Sequence, residues 1–282
     1  MNNTENIIKV AELKDLPFIL KLARQEAWNS GIHDLEVFHN TFENDIFICF
    51  QNNIPIASAA TFNYDENYSF SGYLLVDPKY RKNGVGKSML DKQLEHAGNR
   101  NLGSEVLMHM LPTYEKLGFQ KAHKTISYEC IAPKTGNFHP NLSRIAFNDI
   151  DKVVEYDHLA HPVSRYNLLK QWTVQQGTIG YAFSENDQIK GIAYLRPSTF
   201  GYRVGPFAAN DKHIAKILLE ALSAHIPSQI FSIDIPEYNH DSILLASSYE
   251  HRISFETMRL YTQGIPNYDI TKTFGFCSLN IG

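Results

Sequence analysis

Apolar positions alternate between two spacings along this chain, and the same succession of spacings occurs twice. Leu16, Ile19, Leu20, Ala23 and Ala27 recur at helical intervals behind Asp15, a capping residue, with Pro17 tolerated in the first turn. Trp28 to Gly31 ends that helix. Runs at 46–50, 56–62 and 70–76 then predict three strands, separated by the turn chemistry of Gln51-Asn52-Asn53 and Asp65-Glu66-Asn67. From Lys87 a helix turns Met89, Leu90, Leu94 and Ala97 inward and stops at Gly98. A strand over 104–110, a short helix over 112–116 and a strand over 119–131 complete the first half. Pro133, Lys134, Thr135, Gly136 and Asn137 break both periodicities, so the linker falls at about 131–141. Beyond it come helices near 149–160 and 163–174 and strands at 178–184, 189–196 and 202–207. A helix carrying Ile214, Ile217, Leu218, Ala221 and Leu222 follows, then a strand at 229–235. The order repeats although the residues barely match, which predicts an internal duplication of fold.

Composition narrows the class. The 282 residues are 43% hydrophobic and 20% charged, too apolar for a disordered chain and long enough for about two domains. Lys plus Arg number 26 against 30 Asp plus Glu, a net charge of −4 with no long run of one sign. Neither nucleic acid nor a membrane surface is expected as a partner. Three cysteines, Cys49, Cys130 and Cys277, in no CxxC spacing, suit a reducing compartment, so a cytoplasmic location is expected. The first residues carry no secretory pattern, and no run approaches the ~18 apolar residues of a membrane span.

The densest chemical signal is Val76-Asp77-Pro78-Lys79-Tyr80-Arg81-Lys82-Asn83-Gly84-Val85-Gly86-Lys87-Ser88, between a predicted strand and a helix. Glycines let backbone N–H groups converge, and the unpaired donors of the following helix favour an anion there. Gly84-Val85-Gly86-Lys87-Ser88 resembles the end of a Walker A loop, but Arg81 stands where that motif needs its first glycine. His158 and His161 form an H-x-x-H pair without a further ligand cluster, so no metal is expected. No Gly-x-Ser-x-Gly elbow and no HExxH occurs.

Arg81-x-x-Gly84-x-Gly86 has the spacing of the acyl-CoA loop of the GNAT N-acetyltransferase superfamily, which the chain resembles over about residues 7–131. Val76-Asp77-Pro78 matches the strand end before that loop, and Tyr114-Glu115-Lys116-Leu117-Gly118-Phe119 matches the Tyr four before Gly-Phe. A narrower resemblance, to two-domain bacterial members with a GNAT-like C-terminal domain, spans the whole chain. It rests on Trp28-Asn29-x-Gly31-x-x-Asp34, on Asp157, Arg165, Leu168, Leu169 and Trp172, and on Gly205-Pro206, Ala208, Asp234, Pro236 and Asn239. The segment 103–107 departs from these relatives.

The resemblance implies an α/β (α+β) chain of tandem GNAT folds, each a mixed, largely antiparallel twisted sheet flanked by helices. An acetyltransferase domain is expected over 1–132 and a GNAT-like domain without a CoA loop over 133–282. Acetyl-CoA would be held by Leu75, Val76, Arg81, Lys82, Asn83, Gly84, Val85, Gly86, Lys87 and Ser88. Tyr114 corresponds to the family's general acid, against a plain packing role for a half-buried tyrosine. Strand alternation offers Glu105 and His109 as bases, with a water chain as the alternative. Trp28, His33 and Asp34 fall in the loop that covers the acceptor in this superfamily, and Asp234 is a further acceptor candidate. Structural salt bridges among Asp157, Arg165 and Asp234 are the bland alternative. Gly205-Pro206 removes a donor where a second cradle would stand. The expected partner is a small-molecule amine. Polyamine, amino acid, aminoglycoside and protein amine all stay open, as do a monomer and a homodimer. The competing class is an acyl-CoA sensor without catalysis. A chain ending near 132 is expected to keep CoA binding and lose acetylation.

Overall fold

The computed structural model describes residues 6–282. The first half runs β1 (Asn6–Val10), α1 (Leu16–Gln25), α2 (Asp34–Thr41), β2 (Ile46–Gln51), β3 (Ile54–Asn63), β4 (Tyr68–Val76), α3 (Val85–Ala97), β5 (Asn101–Leu107), α4 (Leu111–Lys116) and β6 (Gln120–Ile131). The second repeats it element for element: β7 (Leu142–Arg144), α5 (Ile150–Asp157), α6 (Tyr166–Val174), β8 (Ile179–Glu185), β9 (Gln188–Pro197), β10 (Tyr202–Ala209), α7 (Lys212–Ser223), β11 (Ile230–Pro236), α8 (His240–Ser247) and β12 (Glu250–Tyr261). A short β13 (Thr273–Gly275) has no counterpart in the first half. The described residues contain no helix long and apolar enough to cross a membrane.

The thirteen strands of the described residues join one sheet in the order β1-β2-β3-β4-β5-β12-β6-β11-β10-β9-β8-β7, with β13 on β10. Every neighbouring pair is antiparallel except β4 with β5 and β10 with β11. The order is symmetric about the β12–β6 pair, and that centre is an exchange. After β6 the linker carries the chain away, and the slot between β5 and β6 is taken by β12, which pairs Thr257–Tyr261 with Leu107–Gly103. In return β6 pairs with β11 from Ile131↔Ile230 to Thr125↔Pro236. Residues 132–141 link the two repeats, but neither repeat closes its own sheet.

One core also crosses the halves. Phe38 of α2 meets Trp172 of α6 edge-on at 5.8 Å between centroids, inside an apolar cluster that runs from Ala11 to Ile281. Buried ion pairs pin the seam: Asp34 with Arg196 at 2.9 Å and Glu105 with Arg259 at 2.7 Å, each joining one half to the other. Such charges survive burial because each is paired.

Two buried histidines make this assembly acid-sensitive. His123 on β6 stacks on Phe276, and burial, with Arg259 nearby, pushes its pKa down to about 3. His161 is likewise held well below the ordinary value, first by burial and then by Arg165. Both stay neutral in the folded chain while the unfolded chain takes up protons below about pH 6.5, so stability is complete above that pH and falls as pH drops toward 3. Each imidazole then removes up to ~1.4 kcal/mol per pH unit. Thermal melts between pH 7 and 5 are expected to show a falling Tm whose slope lessens in His123→Phe; an unchanged slope counts against His123 as a source.

Candidate functional site

The parallel pairing of β4 with β5 lasts only from Tyr68–Ser71 against Asn101–Ser104. Beyond that fork β4 follows β3 and β5 follows β12, and the two strands part. At the fork the Ser71 hydroxyl donates to Ser104 Oγ at 2.8 Å. A cleft of about 750 Å³ opens there, walled by β4 from Leu74 to Val76, by β5, by the first turns of α3 and by α4. Gln93 of α3 clamps the helix on the sheet by donating to Ala60 O and Gly72 O, at 2.8 and 3.0 Å.

At the mouth of the cleft the chain turns from β4 into α3. Asp77 accepts from Lys79 N, and Lys82 and Gly84 take left-handed φ values of 65° and 82°. Gly84 is the residue before α3, so the N–H groups of Val85, Gly86 and Lys87 have no partner within the helix and concentrate partial positive charge there. Arg81 braces the loop, its Nε donating to Val76 O at 2.9 Å and its Nη2 pairing with Glu26. Of the expected donor-site residues, Leu75, Val76, Arg81, Gly86 and Lys87 line the cleft. Lys82, Asn83 and Gly84 are exposed on the loop, and Ser88 is exposed in the first turn of α3. Val85 departs from expectation: its side chain is buried in the core beneath the loop, leaving only its backbone for a ligand.

Tyr114 stands on α4 in the cleft wall, its ring edge-on to Phe119 at 5.1 Å. Burial raises its pKa, with a hydrogen bond to Ser104 acting against the rise. The phenol is thus protonated at neutral pH. Glu105 also faces the cleft, but it is not a free base. Its Oε1 accepts from Thr125 Oγ1 and Arg259 Nε, and its Oε2 from Thr257 Oγ1, all within 2.8 Å. His109 does not share the strand face of Glu105, because β5 ends at Leu107 and residues 108–110 form a 3-10 turn that leads into Pro112. It lies exposed on the cleft rim.

A second, smaller cavity of about 60 Å³ adjoins the cleft and shares Trp28, Glu105 and Leu107 with it. Its remaining lining comes largely from the second half, including Arg203, Phe255, Thr257 and the segment Ser278 to Asn280. Trp28 thus lines both cavities. Asp34 does not: its carboxylate is buried against Arg196 and accepts from Gly31 N, where a Cβ would sit 2.4 Å from it. His33, half-buried beside it, lines neither cavity. Asp234 is also spent internally, paired with Arg203 and accepting from Ser127 Oγ at 2.6 Å. Asp157 and Arg165 form their own buried pair at 2.6 Å. Arg203, Phe255 and Asn280 were not singled out as site residues in the sequence; they come from β10, from β12 and from the segment after β13.

The equivalent fork in the second half is filled. β10 and β11 pair in parallel from Tyr202–Val204 against Phe231–Ile233, and beyond it β13 lies on β10 while Phe276 N donates to Asp234 O at 2.8 Å. Gly205 admits the segment, since a Cβ there would approach Phe276 O to 2.1 Å. Asn239 holds it, donating to Thr271 O and Thr273 O. The chain then passes under the first half, where Asn280 Oδ1 accepts from Tyr73 N.

A forked sheet with an open cleft, the unpaired N–H groups of a helix start at its mouth and a buried phenol in its wall is an architecture of the GNAT type. Residues 13–119 match the acetyltransferase (GNAT) family profile and residues 153–275 that of the acetyltransferase (GNAT) domain. The chain belongs to the GNAT acetyltransferases, with a GNAT fold in each half, and is an acyltransferase using an acyl-CoA donor. It is 27% identical over 276 residues to the holothin acyltransferase of a Pseudoalteromonas species, covering 97% of this chain and 94% of the relative. In fold it resembles an acetyltransferase candidate from Pyrococcus horikoshii, with a TM-score of 0.84, 17% identity and coverage of 100% and 98%. It also resembles a tandem GNAT protein from the clavulanic acid biosynthesis pathway, with a TM-score of 0.63, 12% identity and coverage of 91% and 97%.

Proposed function

We propose that the chain moves the acetyl group of acetyl-CoA to the primary amine of a small molecule, by direct attack within a ternary complex. The observation that carries this is the Tyr114 phenol in the wall of a cleft that starts at the unpaired N–H groups of α3. The pyrophosphate sits at that helix start, with Arg81 and Lys87 beside it. The pantetheine arm follows the free edge of β4 toward the fork. The amine nitrogen attacks the thioester carbonyl, the C–S bond breaks as the amide forms, and Tyr114 gives its proton to the departing thiolate while the nitrogen loses one to solvent. The likeness to a relative named for acylating holothin supports a small molecule over a protein as acceptor. Three buried free cysteines are in keeping with a cytoplasmic setting.

Gly86→Val tests the donor site. A Cβ at Gly86 meets only Val76 Cγ2 at 3.6 Å, an ordinary contact, so the fold has room for it. The branched side chain instead occupies the approach to the helix start. Acetyl-CoA affinity by calorimetry is expected to fall by at least ~100-fold with Tm kept. Unchanged affinity would move the donor elsewhere.

A further inference from the structure

The acceptor's chemistry is written in the smaller cavity. We infer that it takes a compact, ring-sized primary amine that is uncharged at neutral pH, and that it excludes polycations. This rests on the acyl-transfer reading above and deepens it.

Charge comes first. The cavity's own charged residues are Glu105 and Arg203, and each is neutralised from behind, Glu105 by Arg259 and Arg203 by Asp234. The side-chain exposure of all four is 7% or less. The other carboxylates of the adjoining cleft, Glu26 against Arg81 and Asp91 against Lys87 at 2.6 Å, are partly exposed pairs at its mouth and do not line the smaller cavity. A polyamine or aminoglycoside entering here would shed its water without gaining an unpaired carboxylate, which is unfavourable. The rest of the lining is apolar, from Trp28, Leu107, Phe255 and Leu279, or neutral and hydrogen-bonding, from Asn29, Ser30, Thr257, Ser278 and Asn280.

Size comes next. A water needs about 10–15 Å³ on this measure, so about 60 Å³ holds some four to six water positions, the bulk of one small ring. The cavity opens on the cleft through Trp28, Glu105 and Leu107, so a ring seated here directs an attached amine toward the fork and Tyr114. The missing base then has a reason. Glu105 already accepts three hydrogen bonds, and His109 is at the rim. An amine whose conjugate acid titrates below neutrality arrives deprotonated and needs no strong base. The cavity's far side comes from β12 and from the segment after β13, which gives the second half its part in the reaction.

Thiol release from acetyl-CoA by the full chain, with 3-aminobenzamide, benzylamine and spermidine as acceptors, tests this. The expected kcat/KM for 3-aminobenzamide exceeds that for spermidine by at least ~10-fold. Its rate is expected to stay flat from pH 6 to 9, while that for benzylamine rises as the amine loses its proton. Leu279→Trp, which fills the cavity from a half-buried position, should raise the KM for 3-aminobenzamide at least ~10-fold and leave acetyl-CoA affinity unchanged. Spermidine acetylated as well or better, or an acceptor KM indifferent to Leu279→Trp, overturns the acceptor class and leaves acyl transfer standing. Release with none of the amines while acetyl-CoA still binds overturns the transfer reading and the class together.

Discussion

Tyr114→Phe is expected to bind acetyl-CoA as the parent does and to lose turnover by ~10²- to 10⁴-fold, the range for a positioned general acid. The ring keeps its place because its packing, edge-on to Phe119 beneath the fork, uses no part of the hydroxyl. What the substitution removes is the hydroxyl's bond to Ser104 and the proton, and that proton matters most when charge develops on sulfur, so the loss falls on kcat more than on KM. Burial is what keeps the proton available: the phenol's raised pKa leaves it intact well above neutrality. Single-turnover rates beside calorimetric acetyl-CoA titrations separate the two quantities. Equal turnover in the two proteins would return Tyr114 to packing alone.

The donor side of this site was legible because its chemistry is local. A strand end, a glycine loop and a helix start lie within 76–88, and Tyr114 follows on a short helix opened by Leu111-Pro112. Local spacing also gave much of the repeat, α1 and the run from β2 to β6, and again the run from α5 to β11. The acceptor side was not legible, because its residues meet only through pairings between distant parts of the chain. Asp34 and Asp234 look like free acids in sequence, but each finds an arginine on another element, Arg196 and Arg203. Beyond 235 no strand or helix was given bounds, yet the chain there supplies β12, β13 and much of the wall of the smaller cavity. Alternation marks a strand; it does not say which neighbour the strand will choose.

The motifs of the second half acquire a meaning from this arrangement. Gly205-Pro206 and Asp234-x-Pro236-x-x-Asn239 stand where a second donor site would lie, and they seat the chain's own β13 segment in the fork. Asn29 works in the same way across the seam, since its side chain bonds Phe200 and Ser232 while its carbonyl accepts from Arg203. One half thus keeps its fork open, and the other closes its fork and extends the closing segment to the smaller cavity.

A chain ending at residue 132 is consequently expected not to fold, against the reading by which such a fragment keeps acetyl-CoA binding. Its β5 would lose the β12 partner, and β6 would stand with both edges bare, since its only neighbours are β12 and β11. Glu105 would lose Arg259 and Asp34 would lose Arg196, and each uncompensated buried charge costs roughly 3–5 kcal/mol. Together these losses rival the whole stability of about 5–15 kcal/mol that an ordinary domain has. The fragment should show no cooperative thermal transition and no acetyl-CoA binding, and mixing it with residues 133–282 refolded from denaturant should restore both. A cooperative melt for 1–132 alone, with acetyl-CoA bound, would mean that β6 can reach β5 by itself and that the strand exchange is dispensable to the donor site.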